Sequence, residues 1–324
     1  MKIKLNYYVA LLSIASLVTT SSTNIFAQNT QEVVKEVAKD TAVWTKNGAV
    51  SIDFGTVSVS NWAGGGQNSI SMGLLLDGKI TRTTKKSIWE SYGNLTLGGA
   101  RVGESSQNLF KKTKDILIIG TKYGYRLSPN WSIPISLDLR TQLLDGYTFK
   151  KDANGNEVIN IKNSSFLSSG ILSVGAGIEY NYNFTNLTTK KEIVNFSAAL
   201  LPISQWATIV ASKEIADLRV AGKGIYTPNG EQFRAQFGAT FRAGLAWNPF
   251  ESVSFATKFG AFSPYDDIQR INFTLDSSII LRVNKYITTS FVVNMVYNND
   301  AIINEKQYLL QYQHALNVNF GFKF

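Results

Sequence analysis

The 324-residue sequence contains no cysteine. That excludes a disulfide framework, a thiolate metal site and a lipidated N-terminal cysteine. It contains one histidine, His314, so imidazole chemistry has a single side chain to draw on. Beyond the first residues no apolar run is long enough to form a membrane-spanning helix. Charge of one sign is not clustered either. The formal net charge of +9 includes Lys2 and Lys4, and the remaining charges are scattered singly along the chain, so no basic stripe points to nucleic acid. For an exported protein, anionic lipopolysaccharide or a polar lumen is the better partner for such charges.

What is present begins with a targeting segment. Lys2 and Lys4 precede an apolar stretch from Tyr7 to Val18, followed by Thr and Ser and then by Ile25-Phe26-Ala27. A basic start, a short apolar centre and a small residue before the cut describe a secretory signal peptide over residues 1–27. Residues 28–47 read as a solvated periplasmic lead-in, with a short helix or partial plug as the alternative, and residues 48–324 as one all-β domain.

The main signal is alternation. Phe233, Ala235, Phe237, Ala239, Phe241, Ala243, Leu245 and Trp247 share one parity, and Arg234, Gln236, Gly238, Thr240, Arg242 and Gly244 hold the other. Successive strand side chains point to opposite faces, so one face is apolar and the other polar. The C-terminal segment repeats this, with Tyr312, Leu316, Val318, Phe320, Phe322 and Phe324 opposing Gln311, Gln313, Asn317, Asn319 and Lys323. Soluble strands usually keep such a pattern for five or six residues, whereas these keep phase for about ten to fifteen, the length that crosses a bilayer at a tilt. Similar segments lie near 117–127, 133–142, 172–182, 253–260, 271–282 and 287–295, with weaker ones near 49–60, 68–78, 87–99 and 192–201.

This predicts a transmembrane up-and-down antiparallel β-barrel of about 12 strands with short periplasmic turns and longer extracellular loops. Ser128-Pro129-Asn130, Asn248-Pro249-Phe250-Glu251 and Asn284-Lys285 fall where periplasmic turns are required and use turn residues. The polar stretches near 144–166 and 203–230 become outer loops. Trp131, Trp247, Phe250 and Tyr286 are expected at the inner interface, and Tyr147, Tyr297 and Tyr308 near the outer one. An arginine on the outward face, as in Ala239→Arg, is expected to be costly, and Thr240→Arg on the inward face milder.

Two resemblances add to this reading. Phe324, preceded in phase by Phe322, Phe320 and Val318, resembles the terminal assembly signal of outer-membrane barrels, which implies recognition by the barrel-assembly machinery. The stretch Val59-Ser60-Asn61-Trp62-Ala63-Gly64-Gly65-Gly66-Gln67-Asn68-Ser69 resembles the hallmark of an uncharacterised Bacteroidota barrel family, domain of unknown function 3078. Ser60, Asn61, Trp62, Ala63, Gly65, Gly66, Asn68 and Ser69 match its motif, while Val59 and Gln67 stand where it usually has Leu and Glu. Lys122-Tyr123-Gly124-Tyr125 and Asp145-Gly146-Tyr147 also look like that family. The resemblance implies an outer-membrane barrel and no assigned activity.

Chemistry is thinly represented. His314, on the lipid-facing row and read as lying near the outer rim, has no local serine motif that would make it a base, so it reads as an interfacial side chain. Asp266-Asp267 is the best oxygen pair for a cation and reads as a solvated turn. Gly64-Gly65-Gly66 lacks the strand-to-helix context of a phosphate cradle. Asp40-Thr41-Ala42 resembles a short O-glycosylation sequon. No cofactor or metal is expected, and no catalytic residue is assigned. The inward row carries Lys122, Arg126, Arg140, Arg234, Arg242, Lys258 and Arg282 with Asp53, Asp77, Glu90, Asp138, Glu179 and Asp276. These could line a pore or pair across a narrow interior and close it. The expectation is a non-enzymatic narrow channel or a closed structural or binding barrel in the outer membrane, with membrane lipid and lipopolysaccharide as partners. The alternatives are an envelope enzyme acting on lipid or surface polysaccharide, and a docking subunit.

Overall fold

A computed structural model describes residues 42–57, 69–102, 111–186, 192–220, 230–284, 286–297, 299, 302–303, 306–307 and 310–323. The wall is formed by β1 (Val43–Val57), β2 (Ser69–Thr83), β3 (Ser87–Val102), β4 (Lys111–Arg126), β5 (Trp131–Thr141), β8 (Ser168–Thr185), β9 (Glu192–Val210), β10 (Phe233–Phe250), β11 (Val253–Pro264), β12 (Asn272–Arg282), β13 (Ile287–Tyr297) and β16 (Leu310–Lys323). Each pairs antiparallel with its neighbours, and β1 returns to β16 through Ala49–Ile52 against Phe320–Lys323. Closure leaves no sheet edge, which is what a β-structure needs to sit in hydrocarbon, where no water satisfies a free N–H or C=O.

Alternation becomes a two-sided wall. Outward side chains such as Phe54, Ile135, Phe237, Phe241 and Phe291 are exposed, whereas inward Ser132, Ser136, Thr240, Ser254 and Ser290 are buried. An apolar band this continuous cannot face water in a soluble monomer, and the outward face is the lipid face. His314 lies on it beside Val293, four residues from the start of β16, with the rings of Phe291 and Tyr312 each at 6.4 Å. It therefore sits within the apolar wall, not at the rim. The lone serine on the same line, Ser277, is a full strand away, beyond Val293.

One end of the barrel has the short connections, which in such barrels is the periplasmic end. Trp131, Trp247, Phe250 and Tyr286 are exposed there, joined by Trp44 and Trp89. Ser128 and Asn284 close their turns: Ser128 Oγ accepts from Trp131 N–H at 3.2 Å, and Asn284 Oδ1 accepts from Tyr286 and Ile287 N–H at 2.8 and 2.9 Å. The third expected turn is displaced. Asn248 and Pro249 belong to β10, in a bulge between Trp247↔Phe255 and Phe250↔Val253. Ser254 Oγ lies 2.6 Å from Asn248 Oδ1, and the turn falls to Glu251-Ser252. A bulge accepts proline because its residue owes the ladder no N–H. The barrel also begins earlier than residue 48, because Val43–Asn47 continue the ladder against Lys79–Thr83. Residues 1–41, which hold the signal-peptide reading, most of the 28–47 lead-in and the Asp40-Thr41 part of the sequon, lie outside the described residues, as do Tyr308 and Phe324.

The other end is elaborated. The 142–167 connection carries a hairpin of β6 (Gly146–Lys151) and β7 (Glu157–Ser164). Tyr147 thus stands on the hairpin above the wall rather than in an outer girdle, while Tyr297 ends β13. The expected loop at 203–230 is shorter, since β9 runs to Val210. Helix α1 (Lys213–Val220) follows, capped by Ser212, and packs Ile215 and Ala216 onto Val210. A two-residue pair, β14 (Ile302–Ile303) with β15 (Lys306–Gln307), tops the last hairpin.

Asp115 ties the base of the β6–β7 hairpin to the wall. Its carboxylate accepts Leu143 and Leu144 N–H, both at 2.8 Å, and meets Lys112 Nζ at 2.9 Å, which also donates to Gln142 Oε1, Leu144 O and Ser164 Oγ. With only 1% of the Asp115 side chain exposed, nothing replaces these partners if it is lost. Asp115→Ala is expected to leave the barrel folded while protease added from outside cuts the 142–167 connection several-fold faster. Further out, Lys162 donates to Asp145 at 2.8 Å, holding that carboxyl below its usual range and the ammonium above its own. The pair is complete at neutral pH. It is lost as pH falls through the lowered Asp145 value, or rises through the raised Lys162 value, and being exposed it adds little to stability.

Candidate functional site: the barrel interior

The interior brings charge together on facing strands, and it is built in two storeys. In the lower and middle storey, Lys79 on β2 meets Glu90 on β3 at 2.5 Å. Glu90 also faces Lys122 on β4 at 3.6 Å, and Lys122 reaches Glu179 on β8 at 3.0 Å. Ser132 Oγ donates to Glu179 at 3.4 Å. This row joins four strands through alternating signs and a fifth through the Ser132 hydroxyl. Beside it, Asp138 on β5 accepts the Tyr92 hydroxyl from β3 and the Arg242 guanidinium from β10, the latter at 3.1 Å. Arg242 also lies 3.5 Å from Ser136 Oγ. Lys258 on β11 stands directly opposite Asp276 on β12. Higher up, Lys114 on β4 contacts both oxygens of Asp53 on β1 at 3.3 Å.

On the side of β9 to β11 the upper storey is apolar and depends on one bulge. In β9 the pairing shifts around Pro202 and Ile203: Gly238 faces Ser204 while Thr240 faces Leu201, and Ala176 faces Ile203 while Ile178 faces Leu200. The extra residue flips the parity, so Leu201 before it and Ser204 and Trp206 after it all turn inward. Gly177 allows the close approach of β9 at the bulge, and Gly238 that of β11. A Cβ on Gly177 would lie 2.0 Å from Leu200 O, and one on Gly238 2.1 Å from Ser263 O. Trp206 then stacks on Phe262 of β11, with centroids 4.8 Å apart and planes within 6°. Phe262 is fully buried, and Leu201 and Thr240 beside it are each 2% exposed. Burial of this depth inside a barrel means packed side chains rather than a water column.

The inward-row residues therefore fall into separate groups. Lys122, Asp138, Glu179 and Arg242 join the central lattice, and Lys258 and Asp276 face one another at its flank. Arg126 and Arg282 sit at the turn end and donate to turn carbonyls, Thr84 O at 3.5 Å and Glu251 O at 2.9 Å. Arg140 and Arg234 lie on inward rows towards the loop end. Lys79, Lys114 and Tyr92 are central partners that the sequence reading did not single out. Lys79 was accessible to it, since it shares its parity with Asp77. With Lys79 and Lys114 added, the inward row of seven basic and six acidic groups becomes nine basic against six acidic, and the case for closure rests on contacts rather than on counting. No nucleophile–base pair occurs in this set, and among the described residues no three His, Asp or Glu converge as metal ligands. The arrangement cross-links facing strands through paired charges.

Val318 and Phe320 are exposed on the outward row, and Phe322 holds the register position opposite Val50. The motif from Val59 to Asn68 lies outside the described residues, and Ser69 opens β2.

Comparison with known structures returns outer-membrane barrels at low identity. A COG4313 outer membrane channel from Pseudomonas putida F1 is 10% identical, with TM-score 0.40, over 86% of this chain and 95% of that one. The toluene transporter TodX from Pseudomonas putida is 10% identical, with TM-score 0.36, over 96% of each chain. The translocator domain of the autotransporter NalP from Neisseria meningitidis is 8% identical, with TM-score 0.33, over 90% of this chain and 93% of that one. No curated protein matches the chain. Residues 54–147, covering β2 to β5 and the start of the outer hairpin, match the family described as Protein of unknown function (DUF3078).

Proposed function

We propose that this chain is a non-enzymatic outer-membrane barrel, closed to ions at rest, that acts through its outer loops as a structural or binding element. We extend to the whole chain the family match of residues 54–147, and with it the Bacteroidota origin. We further propose export by the segment at 1–27 with cleavage after Ala27, insertion by the barrel-assembly machinery, and contact with lipopolysaccharide at the loop end. The observation that carries closure is Asp138. It joins Tyr92 of β3 to Arg242 of β10, strands well apart around the wall, beside the row from Lys79 to Glu179. Paired charges spanning the bore leave no continuous row of one sign to conduct an ion.

Planar-bilayer recording of the purified barrel tests this. The wild type is expected to be electrically silent. Asp138→Ala combined with Arg242→Ala removes the bridge without stranding either charge, and is expected to show small discrete steps. Stable steps from the wild type would overturn closure in favour of a narrow channel. Silence accompanied by turnover of lipid or surface polysaccharide would overturn the non-enzymatic reading.

A further inference from the structure

The outer wall is grooved at one place. Register sets Gly48, Gly78 and Gly93 side by side on the outward rows of β1, β2 and β3, and the same line continues through Ile119, Leu139 and Leu172 on β4, β5 and β8. Bulky side chains on three strands thus stand beside bare backbone on the other three. The result is an apolar cavity of about 780 Å³ along this line, within the roughly 300–1,000 Å³ of small-molecule sites. Its floor is open: a Cβ on Gly78 or on Gly93 would meet no heavy atom within 4 Å.

The turn end of the groove is charged. Lys46 is exposed on the outward row of β1 and lines the cavity. Arg82 lies diagonally beside it on β2, opposite Trp44 on one side and Trp89 on the other, whose indoles approach to 6.3 Å. Among the described strand residues these are the cations on outward rows at this end; Lys79, Lys122, Arg126 and Arg282 all face the bore. A cation on a hydrocarbon-facing row is costly unless it reaches the interface and meets an anion. Exposed indoles mark that interface. Two cations therefore stand at headgroup level, at the mouth of an apolar groove that leads into the hydrocarbon.

We propose that this groove binds one anionic phospholipid of the periplasmic leaflet, with its phosphate on Lys46 and Arg82 and an acyl chain over the glycine floor. Charge complementarity selects this occupant. A second barrel wall or an apolar helix would fill the groove but leave both cations unanswered.

Native mass spectrometry of the full barrel in mild detergent, with phosphatidylglycerol or phosphatidylethanolamine added, tests the site. The wild type is expected to retain one phosphatidylglycerol per chain in preference to phosphatidylethanolamine. Lys46→Gln and Arg82→Gln are each expected to weaken that retention about fivefold. Gly93→Leu occupies the floor and is expected to abolish it, while Ala243→Leu on another part of the wall leaves it unchanged. Heat-dependent gel mobility confirms that each variant is folded. Lys46→Gln and Arg82→Gln, which leave the strand ladder intact, decide the matter if Gly93→Leu does not fold. Equal retention of the two lipids, or full retention after loss of both cations, would overturn the proposal. So would a dimer that Gly93→Leu disperses, since the occupant would then be a second copy.

Discussion

Glu90→Ala is expected to cost the folded barrel about 3–5 kcal/mol, the penalty for removing one partner of a buried ion pair. Glu90 lies between Lys79 and Lys122, and the Lys79 side chain is only 9% exposed. Lys122 keeps Glu179 when Glu90 is lost. Lys79 loses the carboxylate it meets at 2.5 Å, and its burial leaves little water to replace that partner. Glu90→Gln retains the shape and is expected to lie between wild type and Glu90→Ala. Urea unfolding of the barrel in lipid vesicles, followed by tryptophan emission, measures both. A cost below about 1 kcal/mol, the level of an exposed pair, would mean that water reaches the lattice freely.

Ala243→Arg is expected to cost about 2–4 kcal/mol, the penalty for arginine facing lipid near the midplane. Ala243 faces Phe259 on β11 and Ala198 on β9, roughly midway between the Phe237–Tyr265 pair towards the loop end and Trp247 at the turn end. The same unfolding experiment reads it, in bilayers where the arginine cannot escape into a micelle surface. The inward comparison differs from the sequence expectation. Thr240→Arg is not the milder change, because Thr240 lies between Leu201 and Phe262 in the apolar storey and is 2% exposed. An arginine there must displace packed side chains, and its cost is expected to match or exceed that of Ala243→Arg.

Alternation was readable wherever one backbone phase held along a strand. From Phe233 to Trp247 every odd residue faces lipid and every even one the interior, as the periodicity of 2 requires. It failed at irregularities that a fixed period cannot represent. Beyond Leu201, Pro202 and the phase change at Ile203 resemble the start of a loop; in the barrel they are a bulge, and the strand resumes on the opposite parity through Val210. Asn248-Pro249 carries the composition of a turn and is likewise absorbed by a bulge. Lys114 escaped notice because β4 shifts register beside Gly98 and Gly99, just before its clean alternation begins.

The interior shows a second limit. Parity puts a residue inside the barrel but does not say which strand its side chain will reach, because facing strands may be half the chain apart. Arg242 and Asp138 lie 104 residues apart in sequence and meet only through closure. Tyr92 was hidden by chemistry: aromatic residues on a barrel strand read as lipid-facing, and this one turns in to hydrogen-bond Asp138. The glycine line was invisible for the same topological reason. Gly48, Gly78 and Gly93 are unremarkable singly and become a groove floor once three registers align them.

Because the chain has no native cysteine, single nitroxide labels can be placed without background, and their collision rates with oxygen and with a water-soluble nickel reagent report directly on each position. Labels at Leu200→Cys, Ile203→Cys and Ala243→Cys are expected to meet oxygen freely, as lipid-facing sites do. Labels at Leu201→Cys, Ser204→Cys and Thr240→Cys are expected to meet neither reagent, since the interior is packed and the bulge keeps positions 200 and 203 on the same side. Ready nickel access at the last three sites would show a water-filled bore, and unbroken alternation through 200–204 would show that the wall is not folded as described.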